Sequence, residues 1–270
     1  MLGSLTESDD AVQEAWLRAS RAQASEIENL GGWLTTIVAR ICLNMLRSRS
    51  RRREQAFGVH VPDPVVTEEG SLGPEDEALL ADQVGLSLLV VLDSLSPAQR
   101  LAFVLHDMFE LPFDEIAPMV GRSSVATRQL ASRARRRVKG AEIPVPDLDL
   151  ARQRDVVDAF FRAAREGDFN ALLTILHPDV VLRSDFGARH RAASVVHRGA
   201  RAVAGQARGF PGALVRPALV NGAAGAVISL RGRPIAVMGF TVVDGRIIEV
   251  AAIADPERVK RVAAVVLDQK

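Results

Sequence analysis

The run of residues 96–140 constrains the fold more than any other part of the chain. The segment SPAQRLAFVLHDMF opens with a serine and a proline, in the cap and first-turn positions that helices favour. PFDEIAPMV predicts a short second helix, which Gly121 ends, and Ser123 or Ser124 caps a third helix, SVATRQLASRARRRVKG. Two helices joined by a tight glycine turn, the second of them basic, predict a helix-turn-helix.

The third helix has two faces on a helical wheel. We expect one face to pack inward, with Ala126, Leu130, Ala134 and Val138 at four-residue spacing. The other face carries donors suited to base edges and phosphates, namely Arg128, Gln129, Ser132, Arg135 and Arg136. Because the N-terminal part of a recognition helix reaches the bases, we assign base edges to Ser124, Arg128 and Gln129, and phosphate to Arg135, Arg136 and Arg137. An ordinary helical hairpin with a soluble face is the competing interpretation.

The net charge is only +1, which alone argues against a nucleic-acid binder. The distribution of charge argues otherwise, because no acidic residue occurs between Arg40 and Glu54 or between Glu115 and Glu142. These stretches predict two basic patches that attract phosphate, although most charge runs are simply solvated helix faces.

Composition divides the chain into three parts. We predict helices over residues 1–57 and 75–140, joined by a Pro- and Gly-rich linker at 58–74. A second linker at 141–150 leads to a different segment, 151–270, which begins and ends with helices. Between these helices lie β-rich runs separated by NG, RGRP and DG turn signals. The predicted fold is multi-domain, with two all-α domains followed by an α+β domain containing a curved antiparallel sheet.

At this point the sequence resembles a known family. DDAVQEAWLR followed by ENLGGWLTTIVARICLNMLRSRSRRRE resembles region 2 of the extracytoplasmic-function (ECF) sigma factors, and the helix-turn-helix segment resembles their region 4. The resemblance implies a factor that binds core RNA polymerase through its β′ and β subunits and directs it to promoter DNA. Region 4 would read the minus-thirty-five element and touch the β flap.

The resemblance also assigns roles within region 2. The residues implied to dock on the β′ coiled coil are Asp9, Asp10, Gln13, Glu14 and Trp16. The residues predicted to contact the minus-ten element are Arg40, Asn44, Arg47, Arg51 and Arg52. Trp33 is either a base-stacking residue or, by its spacing with Leu34, Ile37 and Ile41, part of the core, and we favour the core. A family helix expected upstream is missing, so either the start was assigned late or Val12 and Trp16 lack a packing partner.

The last segment resembles the cone-shaped SnoaL-like extension of one subgroup, the SigJ type, which implies regulation of the sigma domains. The linker motif of that subgroup is represented by Pro62, Asp63 and Pro64, without its tryptophan. A second motif is represented by Asp185, Phe186, Gly187, Ala188 and Arg189, with two glycines lost, and a third by Asp255, Pro256, Glu257 and Arg258. The resemblance implies that the extension regulates the sigma core by contacting the linker and the two sigma domains.

Cone-fold domains of this type also include enzymes, so an acid–base catalyst or a ligand sensor is the alternative. The candidate groups are His177, Asp179, Arg183, Asp185, His190 and His197. No metal-ligand spacing, P-loop or dinucleotide motif is present, and we predict no catalytic residue, no metal and no cofactor. An unidentified small ligand in a pocket of this domain stays open. The lack of a signal sequence or spanning segment predicts a cytoplasmic protein without a membrane partner, in which Cys42 is a buried, unreactive thiol.

Overall fold

The structure is a computed structural model that describes residues 1–22, 27, 29–53, 59–70, 86–140, 146–207 and 212–267. The chain divides into two compact units. The first unit combines Met1–Phe57 with Leu88–Ile143, and the second combines Gly58–Ser87 with Pro144–Lys270. The segment between the two parts of the first unit therefore belongs to the second unit.

The first unit is helical, as predicted. Its helices are α1 (Leu5–Ala19), α2 (Leu30–Arg53), α3 (Leu86–Asp93), α4 (Pro97–Phe103), α5 (Phe113–Val120) and α6 (Ser124–Gly140). A π-helical turn, Val104–Met108, continues α4. The predicted domain bounds themselves stay a prediction.

Local hydrogen bonds define the helix-turn-helix. Ser96 and Gln99 form a reciprocal capping box at the start of α4, with Ser96 N donating to Gln99 Oε1 at 3.1 Å. Gly121 ends α5 with a φ of 69°, a left-handed conformation that glycine adopts without strain. Ser123 Oγ accepts a hydrogen bond from Ala126 N at 3.3 Å, so it caps α6.

The inward face of α6 differs from the predicted one. Its fully buried residues are Thr127, Ala131 and Ala134, whereas Leu130 and Val138 are only half-buried. The four-residue spacing used for the prediction drifts around a helix of 3.6 residues per turn, so the true stripe alternates steps of three and four. Ala134 is the one predicted position that is fully buried.

The first unit has a core shared between its two parts. Ala39 and Leu43 of α2 are buried in a cluster with Leu101, Leu105 and Ile116 of the helix-turn-helix. Cys42 lies in a neighbouring cluster with Ala11 and Ala15 of α1. Burial raises the pKa of this thiol, which is confirmed as free and buried.

The second unit is α+β. Its helices are α7 (Leu150–Glu166), α8 (Phe169–Ile175), α9 (Ala200–Gln206) and α10 (Pro256–Leu267), with a 3₁₀ segment at Ala188–Ala193. Its strands are β1 (Val66–Thr67), β2 (Leu176–Asp185), β3 (Val195–Arg198), β4 (Ala213–Val220), β5 (Ala223–Leu230), β6 (Arg233–Val243) and β7 (Arg246–Ile253).

The predicted turn signals form the hairpins of the sheet. Asn221-Gly222, Arg231-Gly232 and Asp244-Gly245 each have positive φ at both residues, between 51° and 75°, which is the pattern of type I′ turns. In the described residues the strand order is β1-β4-β5-β6-β7-β2-β3. The sheet is not wholly antiparallel, because β2 runs parallel to β7. The expectation of a purely antiparallel sheet was therefore wrong: sequence patterning does not reveal which distant strand pairs with β2.

Candidate functional site

The polar face predicted on α2 is present. Arg40, Asn44 and Arg47 are all exposed and follow one another at helical spacing. The side chains of Arg51 and Arg52, at the end of the helix, lie outside the described residues. Trp33 is half-buried, so it is neither a fully exposed platform nor a closed core residue.

The residues assigned to polymerase docking lie on the outer side of α1. The helix buries Ala11 and Ala15 against α2 and exposes Asp9, Asp10, Gln13 and Glu14. Trp16 is 72% exposed and Val12 is 65% exposed, so both contribute to this surface rather than to the core. The outer side of α1 is therefore acidic and also exposes two large apolar side chains.

The recognition helix α6 presents most of its predicted contacts to solvent. The exposed members of the set are Arg128, Gln129, Arg136 and Arg137. Ser124, Ser132 and Arg135 are half-buried. The guanidinium of Arg128 lies over the Phe113 ring, 5.5 Å from its centroid, which orients the side chain at the start of the helix.

Carboxylates that the sequence analysis did not single out hold part of this face. Ser124 Oγ donates a hydrogen bond to Asp114, at the start of α5. Arg135 Nε lies 2.5 Å from Asp107 Oδ1, in the π-helical turn. The sequence signal for these contacts is the presence of two aspartates, Asp107 and Asp114, in the helical segments that precede the basic helix α6. Both contacts position the side chains before any DNA is bound.

Arg49, in the first basic stretch, is engaged within the protein. Its guanidinium lies 2.8 Å from Asp93 Oδ1 and 3.2 Å from Glu7 Oε2, and it donates to Leu2 O at 2.7 Å. Arg100 shares the same oxygen of Asp93, also at 2.8 Å. These ion pairs join α2 to the helix-turn-helix part of the same unit.

The second unit contains a compact charged site, which we call the linker latch: Val61, Asp63, Asp185 and Arg258. Arg258 Nη1 lies 2.7 Å from Asp185 Oδ2, and its Nε lies 2.6 Å from Asp63 Oδ1. Arg258 also donates to the carbonyl oxygen of Val61, whose own N–H donates to Asp185 Oδ2 at 2.9 Å. Asp63 and Asp185 are 8% and 3% exposed, so their charges depend on this pairing.

The electrostatics of the linker latch follow from its contacts. Burial alone raises the pKa of Asp185, but hydrogen bonds from His60, Val61 N–H and Gly187 N–H and the charge of Arg258 hold it well below its usual range. Burial alone would lower the pKa of Arg258. The charges of Asp63 and Asp185 and the hydrogen bonds that these carboxylates accept outweigh burial and raise the pKa above its usual value. The site is therefore a fixed ion-pair network.

Most of the other residues predicted to be regulatory lie beside the linker latch. Pro62 is buried, and so is Pro64. Gly187 has a φ of 79°, and a Cβ there would lie 1.7 Å from Asp255 Oδ2, so only glycine is accommodated. Asp255 Oδ1 accepts from Arg258 N at 3.0 Å and caps α10. Arg189 is exposed and takes no part in the linker latch.

The linker continues along the sheet after the linker latch. Val65 N donates to Asn221 Oδ1 at 2.9 Å, and Asn221 N donates to Val65 O at 2.8 Å. β1 then pairs antiparallel with β4. Residues 59–67 therefore form an edge of the second unit, a placement that no local pattern in the sequence indicates.

The groups considered for catalysis do not converge. Arg183 pairs with Glu249 at 3.1 Å, His177 accepts from Asp179 N at 3.2 Å, and His190 is exposed. His197 lies on β3 and faces a cavity. Asp185 belongs to the linker latch, where it pairs with Arg258.

Among the residues whose structure is described, no helix combines the length and hydrophobicity needed to cross a bilayer. Nor do those residues contain a cluster of three or more histidine, cysteine or acidic side chains arranged to bind a metal.

Two helical parts with basic faces and a helix-turn-helix, followed by an α+β domain, define a DNA-binding protein with an added domain. Residues 1–52 match Sigma-70 region 2, and residues 85–138 match Sigma-70, region 4. The chain is 35% identical over 272 residues to the ECF RNA polymerase sigma factor SigJ of Mycobacterium tuberculosis, covering 96% of this chain and 87% of that protein. It is 39% identical over 183 residues to the probable ECF sigma factor SigI of the same species, covering 67% of this chain and 62% of SigI.

The crystal structure of Mycobacterium tuberculosis SigJ aligns with a TM-score of 0.69 at 33% identity, covering 95% of this chain and 90% of that one. The chain therefore belongs to the ECF family of RNA polymerase sigma factors. It is a sigma factor that binds core RNA polymerase and promoter DNA, directs the enzyme to specific promoters and starts transcription.

Proposed function

We propose that the exposed faces of α2 and α6 read the two promoter elements. Arg40, Asn44 and Arg47, with Arg51 and Arg52, contact the minus-ten element. Ser124, Arg128 and Gln129 at the start of α6 read base edges of the minus-thirty-five element, and Arg135, Arg136 and Arg137 hold phosphates. The support is the exposure of the following members of these two sets: Arg40, Asn44, Arg47, Arg128, Gln129, Arg136 and Arg137.

The proposal extends to the polymerase. The acidic and apolar outer side of α1, with Trp16 at its centre, docks on the β′ subunit, and region 4 contacts β. Both contacts occur in the cytoplasm, where the polymerase acts. The support is the 72% exposure of Trp16, since a large aromatic side chain is favoured at the centre of a protein interface.

The second unit regulates the factor through the linker latch. Residues 58–87 connect the region-2 part to the region-4 part of the first unit, so a domain that holds this connector limits how far the two parts move apart. The observation that carries the proposal is Arg258, which joins Asp63 of the connector to Asp185 of the sheet. The proposal includes a small-molecule ligand for the cavity of the same domain.

We propose that this domain does not catalyse a reaction. An acid–base enzyme of this fold needs its carboxylate and histidine to face one cavity. Asp185 accepts hydrogen bonds from Val61 N–H and Gly187 N–H and forms an ion pair with Arg258 in the linker latch. His197 instead faces the cavity from β3, so the two side chains do not face the same space. The relatives SigJ and SigI, at 35% and 39% identity, are sigma factors by name.

Run-off transcription with core RNA polymerase tests the DNA assignment. Arg128→Ala combined with Arg135→Ala should abolish promoter-directed initiation. The matched control removes the same charge from exposed arginines of the second unit, Arg201→Ala with Arg246→Ala, and should leave initiation intact. Equal loss in both double variants would refute sequence reading by α6.

The regulatory role has its own test in the same assay. Arg258→Met removes the cation of the linker latch, and Arg261→Met changes an exposed arginine of the same helix. The first variant should change promoter activity several-fold without changing which promoter is used, and the second should not. Unchanged activity in Arg258→Met would refute regulation through the linker latch. Turnover of a small molecule that Asp185→Ala abolishes would instead favour the enzyme alternative.

A further inference from the structure

A cavity of about 590 Å³ opens in the second unit, between the sheet and its helices. This volume falls within the usual range of small-molecule sites. Apolar side chains dominate its wall, including Phe160, Phe161, Phe186, Leu182 and Met238. Phe160 and Phe161 meet edge to face with centroids 5.5 Å apart, so the aromatic part of the wall is fixed by packing.

Few polar side chains line the cavity. Among the described residues, the half-buried polar side chains are Ser184 and His197, and the exposed ones are Arg165 and Gln206. No described carboxylate lines the cavity. Because a charge buried without a partner is costly, the interior suits an uncharged, mainly apolar molecule. Ser184 and His197 would hydrogen-bond one or two of its oxygen atoms.

The cavity and the linker latch share strand β2. Leu182, Ser184 and Phe186 point into the cavity, while Asp185 points away from it into the linker latch. This follows from the alternation of side chains along a strand. A ligand touching Ser184 and Phe186 therefore contacts both neighbours of the carboxylate that holds the connector.

The adjacent end of β7 has the same arrangement. Ala252 and Ala254 line the cavity, and Asp255, the next residue, caps the helix that carries Arg258. Ala254 N also donates to Asp185 O at 2.8 Å, which ties the two chain segments together. Asp185 directly follows the wall residue Ser184, and Asp255, which caps the helix that carries Arg258, directly follows the wall residue Ala254.

We propose that the cavity binds an uncharged, apolar small molecule and that its occupancy strengthens the linker latch. This inference rests on the proposed regulatory function. A bound ligand restrains the wall residues on β2 and β7, so less conformational freedom is left to lose when the linker latch closes. Linkage is reciprocal, so a closed linker latch strengthens ligand binding by the same factor.

The first experiment titrates the full chain with N-phenyl-1-naphthylamine, an uncharged apolar fluorophore. Ala236→Phe fills the cavity from β6 and should weaken binding at least tenfold. Ala151→Phe makes the same change at an exposed position of α7 and should leave binding unchanged. Equal binding by the wild-type chain and both variants would show that the probe does not occupy the cavity, and would overturn the proposal.

The second experiment measures the coupling. Saturating probe should slow hydrogen exchange of Val61 N–H and Val65 N–H by about fivefold, within the usual range of coupling between sites. Asp63→Asn should weaken probe binding by that same factor. Unchanged exchange, or unchanged affinity in Asp63→Asn, would refute the coupling.

The control for exchange is the Ala236→Phe variant with the probe present, in which protection of residues 59–67 should not rise. Run-off transcription is read separately, so the two proposals fail independently. The probe could bind and slow hydrogen exchange of residues 59–67 while Arg258→Met has no effect on transcription. That result would support coupling between the cavity and the linker latch and refute regulation of transcription through it.

Discussion

Gly187→Ala tests the tight contact beside the linker latch. The added methyl group would lie 1.7 Å from Asp255 Oδ2 and 2.6 Å from Asp255 Cγ, so Asp255 must move. Its movement breaks the cap on Arg258 N, which costs about 0.5–2 kcal/mol, and crowding adds about 1–3 kcal/mol. The φ of 79° costs a further roughly 1–2 kcal/mol for any residue with a Cβ.

Gly232→Ala provides the matched control. Its φ is 74°, almost the same, but nothing lies within 4 Å of the position that its Cβ would take. Both variants place a Cβ on a left-handed backbone and lose a similar amount of stability for that reason. The difference between their free energies of unfolding therefore isolates the contact with Asp255. We expect Gly187→Ala to lower the free energy of unfolding of the second unit by about 2–4 kcal/mol more than Gly232→Ala does.

Urea unfolding followed by circular dichroism, with both variants at the same protein concentration, measures this difference. Hydrogen exchange of residues 59–67 should also accelerate in Gly187→Ala and not in Gly232→Ala. Equal unfolding free energies of the two variants would refute the claim that glycine is required at this contact.

Three further predictions concern charge. Asp185 has a lowered pKa in the folded state, so its stabilising contribution is present above about pH 4 and is lost as the pH falls further. Asp185→Asn should therefore lower the free energy of unfolding, measured in urea, by less at pH 3 than at pH 7. Asp93→Ala removes the carboxylate that Arg49 and Arg100 share, while Arg49 keeps Glu7, and should lower the free energy of unfolding of the first unit by about 1.5–3 kcal/mol. Glu14→Ala breaks an exposed pair and should lower it by less than about 1 kcal/mol, and thermal unfolding measures both. Promoter-DNA affinity should fall steeply with salt, and Arg136→Ala should reduce the slope of log K against log salt by about 1; a slope near zero in the unmodified chain would contradict both basic faces.

Local sequence signals determined the elements of this protein. The Ser96 cap, the Gly121 break and the Asn221-Gly222 turn each depend on conformations that a residue adopts with its immediate neighbours. The family match of regions 2 and 4 rests on such runs, and so does the exposed face of Arg40, Asn44 and Arg47. These predictions were confirmed because helix and turn periodicity is a property of short windows.

Contacts between distant segments were decided only by the tertiary structure. Arg258 lies far along the chain from Asp63, and no spacing rule pairs them, yet burial in one site forces opposite charges to meet. The parallel pairing of β2 with β7, and the faces on which Ser184 and Asp185 point, likewise depend on how the sheet closes. A sequence specifies which residues alternate along a strand, but only packing decides that one side becomes a cavity and the other holds the linker.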